Sequence, residues 1–160
     1  MSDRTALTLT LHATHDTDRD GIRAALSAQG LEAALEEFLD TPAPGTTCTA
    51  PEVDISGGAE HRTLAEALVA NTRHTAFELV HYPDVANCGY YAAYVPGCDL
   101  YITFADADGD PYALTDHIAR RLAEAPATMT VHEWLGIHGP ARLGNHVRAS
   151  LGRLGRAPLR

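Results

Sequence analysis

The chain has 160 residues, 45% of them apolar and 21% charged, and a formal net charge of −9 at pH 7. That length can bury a core without disulfides or a structural metal, so one domain over 1–160 is expected. No apolar run reaches the ~20 residues that cross a bilayer, which argues against a membrane partner. The first residues run straight into a strand pattern with no secretion signal. Cys48, Cys88 and Cys98 are odd in number and irregular in spacing, which fits reduced thiols in a cytoplasmic protein.

The charge is segregated. Residues 1–133 hold 21 acids against 7 arginines, or −14, whereas residues 134–160 hold 5 arginines and no acid, or +5. An acidic body disfavours non-specific nucleic-acid binding; a cationic end seeks an anionic partner or the body itself. All 12 cationic side chains are Arg, a compositional bias without functional content.

From Thr5 to Ala13, Leu7, Leu9 and Leu11 alternate with Thr8, Thr10 and His12, the pattern of a half-buried strand. Thr17 then opens a helix with Ile22, Ala25 and Leu26 on one side, ended by Gly30. A second helical stretch carries Leu31, Ala34, Leu35, Phe38 and Leu39. Residues 41–60, with Pro42, Pro44, Gly45, Pro51, Gly57 and Gly58, predict a flexible surface loop. Thr63 to Glu66 forms a capping box that predicts a short helix running toward Asn71.

Three strand-like runs follow, Ala76–Tyr82, Tyr90–Val95 and Leu100–Ala105, bounded by Pro83, Pro96-Gly97 and Asp108-Gly109, and they predict an antiparallel meander. Thr115 opens another helix, and Thr130 to Glu133 forms a second capping box flanked by Met129 and Trp134 as a hydrophobic staple. Residues 140–160 predict an Arg-rich amphipathic C-terminal helix and tail. On a 100° wheel Leu143, Val147, Leu151 and Leu154 fall within roughly 80°, opposite Arg142, Arg148, Arg153 and Arg156. The expected fold class is α+β. An antiparallel three- to four-stranded sheet, the 76–105 meander plus strand 5–13, is packed by several helices, with the amphipathic helix at the C-terminus.

Two surfaces stand out. The Arg face of the last helix suits phosphates, since guanidinium forks match phosphate oxygens; the structural alternative is a helix that closes the core and leaves its charges in water. All six tyrosines lie between 82 and 112. If Pro96-Gly97 is a two-residue turn, paired positions sum to 193. Tyr90, Tyr94 and Tyr101 then share one sheet face, with Tyr91, Ala93, Val95 and Ile102 on the other. Such a face can anchor a protein partner or stack bases, unless a helix covers it.

Catalytic and metal signals are weaker. Asp16, Asp18, Asp20 and Gly21 resemble the start of a calcium loop, as Asp106, Asp108 and Asp110 do in part. Both lack the closing Glu, with Ser27 and His117 at that position. His12 and His15 could be half a metal site, but zinc spacings are missing, and Cys88 and Cys98 flank a strand ~20 Å long. Cys88, near His81 and Asp84 in sequence, is the one nucleophile candidate. No catalytic residue, metal ligand or cofactor is assigned. The expected function is a small non-catalytic binding or regulatory, inhibitor-like module acting on a macromolecular partner, most simply a protein, through Tyr90, Tyr94, Tyr101, Arg142, Arg148, Arg153 and Arg156. The alternatives are a nucleic-acid-binding accessory protein using the C-terminal Arg helix, or a small metal- or thiol-dependent enzyme.

Overall fold

A computed structural model describes residues 4–31, 47–54, 59–83 and 88–112, and beyond them 114, 119–120, 123, 128, 150–151 and 153. The described residues form an α+β fold. Strands β1 (Arg4–Ala13), β2 (Thr47–Asp54), β3 (Ala76–His81), β4 (Gly89–Tyr94), β5 (Tyr101–Ala105) and β6 (Pro111–Tyr112) make one sheet in the order β2-β1-β3-β4-β5-β6. Every neighbouring pair is antiparallel. Helices α1 (Arg19–Ser27) and α2 (Ala59–Asn71) are connected to it.

The alternation in β1 sorts the two faces. Leu7, Leu9 and Leu11 lie opposite His81, Leu79 and Phe77 of β3, and they cluster with Ile22, Ala25 and Leu26 of α1 and Leu64, Ala65 and Leu68 of α2. The 3–4 spacing of those helical residues is the stripe that lays a helix on a sheet. A second cluster of Ala76, Tyr91, Ala93 and Ala105 occupies the opposite face and includes Leu151 from the C-terminal region. The sheet therefore has apolar packing on both sides.

Residues 41–60 do not form one loop. The segment 47–54 is strand β2, paired with the outer edge of β1, because an unpaired edge on a central strand would leave a row of backbone donors and acceptors unbonded. Cys48, opposite Leu9, packs on the core. Pro51, which lacks an N–H, is accommodated where the register slips. Thr5 pairs with Val53 and Leu7 with Ala50, so Pro51 and Glu52 stand against Ala6 alone, as a bulge on an edge strand permits. The sheet thus has six strands rather than three or four. Helix α2 likewise begins at Ala59, a turn before the Thr63–Glu66 capping box, and the added turn buries His61. The 32–46 segment, most of 115–149 and the second capping box lie outside the described residues.

The connection between β1 and α1 is tied by one carboxylate. Asp18, buried in a short 3-10 turn (Asp16–Asp18), accepts hydrogen bonds at Oδ2 from the N–H groups of Arg73 (3.1 Å) and His74 (2.6 Å) and from Thr75 Oγ1 (2.9 Å). These bonds fasten the start of α1 to the turn between α2 and β3. Gly21 completes the fit, since a Cβ there would sit 1.9 Å from the backbone oxygen of Asn71 at the end of α2. Asp18 and Gly21 of the Asp16–Gly21 run are therefore accounted for by packing, while Asp16 and Asp20 are exposed.

Burial pushes the Asp18 carboxyl up, but the bonds from His74, Arg73 and Thr75 together with the nearby His74 outweigh it, and the net displacement is below the ordinary 3.8. A lowered folded value means stability that is fully present above 3.8 and lost as pH falls through the folded value. Asp18→Asn is expected to cost on the order of 1–3 kcal/mol at neutral pH. The gap from wild type should narrow below pH 3.8, as measured by denaturant unfolding across that range.

Candidate functional site

The register of β4 and β5 decides which rings share a face. Val95 to Cys98 is a tight turn, closed by the Cys98 N–H on the Val95 carbonyl at 2.9 Å, with Gly97 at φ 87° in the left-handed region that glycine occupies readily. The ladder beyond it is one residue out of step with the turn. Tyr90 faces Phe104 and Ala93 faces Tyr101, so paired positions sum to 194 rather than 193, and the extra residue is absorbed in Cys98–Leu100 before β5 begins. A slip of one residue moves a side chain to the other face. Tyr101 therefore parts from Tyr90 and Tyr94 and packs edge-on against Tyr91 at 6.2 Å between ring centroids. Ile102 moves the opposite way, opposite Ala92 and against the main core.

The actual register lines up four rings that the 193 sum leaves scattered. His81, Tyr90, Phe104 and Tyr112 are direct cross-strand neighbours on β3, β4, β5 and β6. Their centroids are 6.0, 5.7 and 5.8 Å apart in turn, within the range of favourable aromatic contact. His61 of α2 lies over the row, 5.9 Å from Tyr90. Exposure rises along it: His81 is fully buried, Tyr90 and Phe104 are half-buried, and Tyr112 is 38% exposed. Leu114, just past β6, is 43% exposed. These two are the exposed large hydrophobics among the described residues.

The turn before β6 is built from acids. Asp106 Oδ1 accepts from the N–H groups of Asp108 (3.0 Å) and Asp110 (2.9 Å), while the Gly109 N–H donates to the Asp106 carbonyl at 3.0 Å. This is a side chain imitating a backbone turn. The second calcium-like run thus shapes a hairpin turn, packed through Gly109 near Val80 and Tyr82, and leaves Asp108 and Asp110 exposed.

Polar groups on the opposite face satisfy one another. The β1–β3 register slips between Leu11 and Ala13, leaving His12 as the extra residue of a bulge, a device that re-aims a side chain. His12 Nε2–H donates to Glu78 Oε2 at 2.5 Å, and Tyr91 Oη–H donates to Glu78 Oε1. Since a carboxylate only accepts, the neutral imidazole keeps its lone pair on Nδ1. His15 does separate work: its Nδ1 accepts from the Thr17 N–H at 3.3 Å, and its ring meets His74 edge-on at 5.6 Å. Among the described residues no group of three or more His, Cys, Asp or Glu side chains is placed to hold a metal ion. Cys88 is exposed, and Cys48 and Cys98 are half-buried thiols.

Of the residues expected at a partner surface, Tyr90 lies in the ring row and Tyr94 packs on Phe77 at 5.9 Å; Tyr101 is on the other face. Arg153 is exposed and donates to Ser150 Oγ at 2.8 Å, while neighbouring Leu151 is buried. Arg142, Arg148 and Arg156 lie outside the described residues. Phe104 and Tyr112 complete the row, and sequence reasoning missed them for want of the one-residue offset after Gly97. No protein family, no curated protein and no solved structure matches this chain, so the site stands on its geometry.

The inner end of the row is sensitive to acid. His61 Nε2–H donates to the Leu79 carbonyl at 3.2 Å, and its buried Nδ1 has no hydrogen-bond partner among the described residues. Burial pushes its pKa down from 6.5 to about 4; the bond to Leu79 opposes that, and His81 and Arg62 reinforce it. The unfolded chain takes up this proton first, so stability falls as pH drops from 6.5 toward about 4, by as much as about 3 kcal/mol. Unfolding of His61→Phe should show a flatter pH dependence over that window than wild type.

Proposed function

We propose that the chain is a non-catalytic binding or regulatory module of the cytoplasm that acts on a protein partner, with the outer end of the ring row as its contact surface. The observation that carries this reading is Tyr112. It ends an unbroken line of ring contacts that begins in the core, yet 38% of it is open to solvent, and Leu114, two residues on, is 43% exposed. A rigidly held, half-covered aromatic is the kind of residue that anchors protein interfaces, because it offers large contact area at small cost in side-chain freedom. Isolated exposed apolar residues are common on any surface; the continuity of the row with the core sets this pair apart. Among the described residues no helix is long and apolar enough to cross a membrane, in keeping with a macromolecular rather than a bilayer partner.

The alternative, nucleic-acid binding through the C-terminal arginines, is supported by one detail. Leu151 is buried and Arg153 exposed, the arrangement of a docked helix that turns its cations outward. The two readings part in one pair of measurements. Cross-linking capture with the wild-type chain should recover a protein whose yield drops about tenfold with Tyr112→Ala/Leu114→Ala, while the far-UV spectrum stays unchanged. Undiminished capture by the double variant rejects the ring surface. Affinity for a DNA duplex that falls steeply with salt would instead favour the arginine helix.

A further inference from the structure

We infer that the first turn of α2 is an acid-released latch: protonation of His61 frees residues 59–62 from the sheet, lets the helix begin at Thr63, and uncovers the His81 and Tyr90 end of the ring row. The device works whatever binds at Tyr112. One side chain holds the turn in place. Glu60 is half-buried and Arg62 exposed, while His61 is fully buried. His61 extends the stripe of Leu64, Ala65 and Leu68 by one turn, and those three keep the rest of α2 on the core without it. Its hydrogen bond runs from Nε2–H to the Leu79 carbonyl, and its ring lies 5.9 Å from Tyr90. Nδ1 is buried with no hydrogen-bond partner. A proton added there makes a buried cation whose new N–H meets no acceptor, a state that costs far more than the same cation in water.

The groups around His61 favour its neutral form. Helix α2 packs on α1, β3 and β4. From β3 the facing group is His81, which opposes positive charge on His61 as Arg62 does. From β4 it is Tyr90, since Tyr94 lies on Phe77, and Glu78 and Tyr91 are bonded to each other on the opposite sheet face. Arg19, Asp20 and Arg23 of α1 flank Gly21, which fits against Asn71 at the far end of α2. Glu60 precedes His61 on the helix and is turned about 100° from it. The released form, for its part, has its own start signal. Thr63 and Glu66 form a capping box, yet α2 begins at Ala59, so Thr63 stands inside the helix rather than at its cap. Two arrangements of the same segment therefore compete: an added turn with His61 buried, or a start at Thr63 with His61 in water. A freed His61 titrates near 6.5 and the held one at about 4, so the held form is fully favoured above 6.5 and loses about tenfold per pH unit below it.

The test is backbone hydrogen exchange of the full chain, followed by NMR from about pH 7 to about pH 5 with intrinsic rates divided out. The Leu64 and Ala65 amides report the turn; Leu9 and Leu79 report the central strands. The turn is expected to have the larger opening constant at every pH, rising about tenfold per unit below 6.5. His61→Phe should abolish that rise. Thr63→Ala should lower the opening constant about fivefold, because it removes a cap that only the released helix uses. Equal opening of turn and strands, a missing acid rise, or a rise that survives in His61→Phe refutes the latch. Should His61→Phe not fold, Thr63→Ala decides: an unchanged or raised opening constant overturns the two-start arrangement, since a hydroxyl that served only the closed helix would loosen it when removed.

Discussion

Everything in this fold hangs on β1 being hydrogen-bonded along both edges. With β2 on one side and β3 on the other, its period-two side chains are committed: leucines against α1 and α2, threonines and His12 to the far face. Because consecutive residues alternate faces, a strand fixed on both edges cannot slip without turning three buried leucines out of the core. That commitment passes through β3 to β4 and β5 by direct cross-strand pairing. Asp18 then holds the helical layer to the same frame, since the backbone groups it binds lie just before β3.

Within this frame, departures from ideal register do the chemical sorting. The slip at Pro51 lets an edge strand carry a residue that cannot donate. The bulge at His12 turns an imidazole onto Glu78, so that three polar side chains on one face hydrogen-bond to one another. The offset after Gly97 puts Tyr101 with Tyr91 and brings Phe104 and Tyr112 into line with Tyr90 and His81. Each is a one-residue event, and each changes which groups meet.

The consequence for recognition is an asymmetry between the two ends of the ring row. At the inner end, His81 and His61 are both buried, and burial penalises charge on His61. At the outer end the aromatic surface opens to solvent at Tyr112, 38% exposed. The buried and open ends belong to one continuous row of ring contacts, so a contact at Tyr112 is connected through Phe104 and Tyr90 to the core.

Much of this was legible from local pattern. The leucine alternation of β1, the Ile22, Ala25 and Leu26 stripe of α1, and the strands 76–81, 89–94 and 101–105 follow from side-chain periodicity, because period two and period 3.6 are properties of the chain itself. What periodicity cannot report is pairing. That 47–54 is a strand depends on β1 needing a second partner, and its proline masks the signal. That α2 starts a turn early, with His61 buried, is not signalled by the Thr63–Glu66 capping box. The face occupied by Tyr101, and with it the membership of the ring row, depends on how many residues a turn absorbs before the ladder resumes. The sequence by itself determined which residues alternate and which segments prefer strand or helix, since those are short-range preferences. Only the tertiary structure decided which alternating rows lie side by side, because that choice is made by hydrogen bonds between residues far apart in the chain.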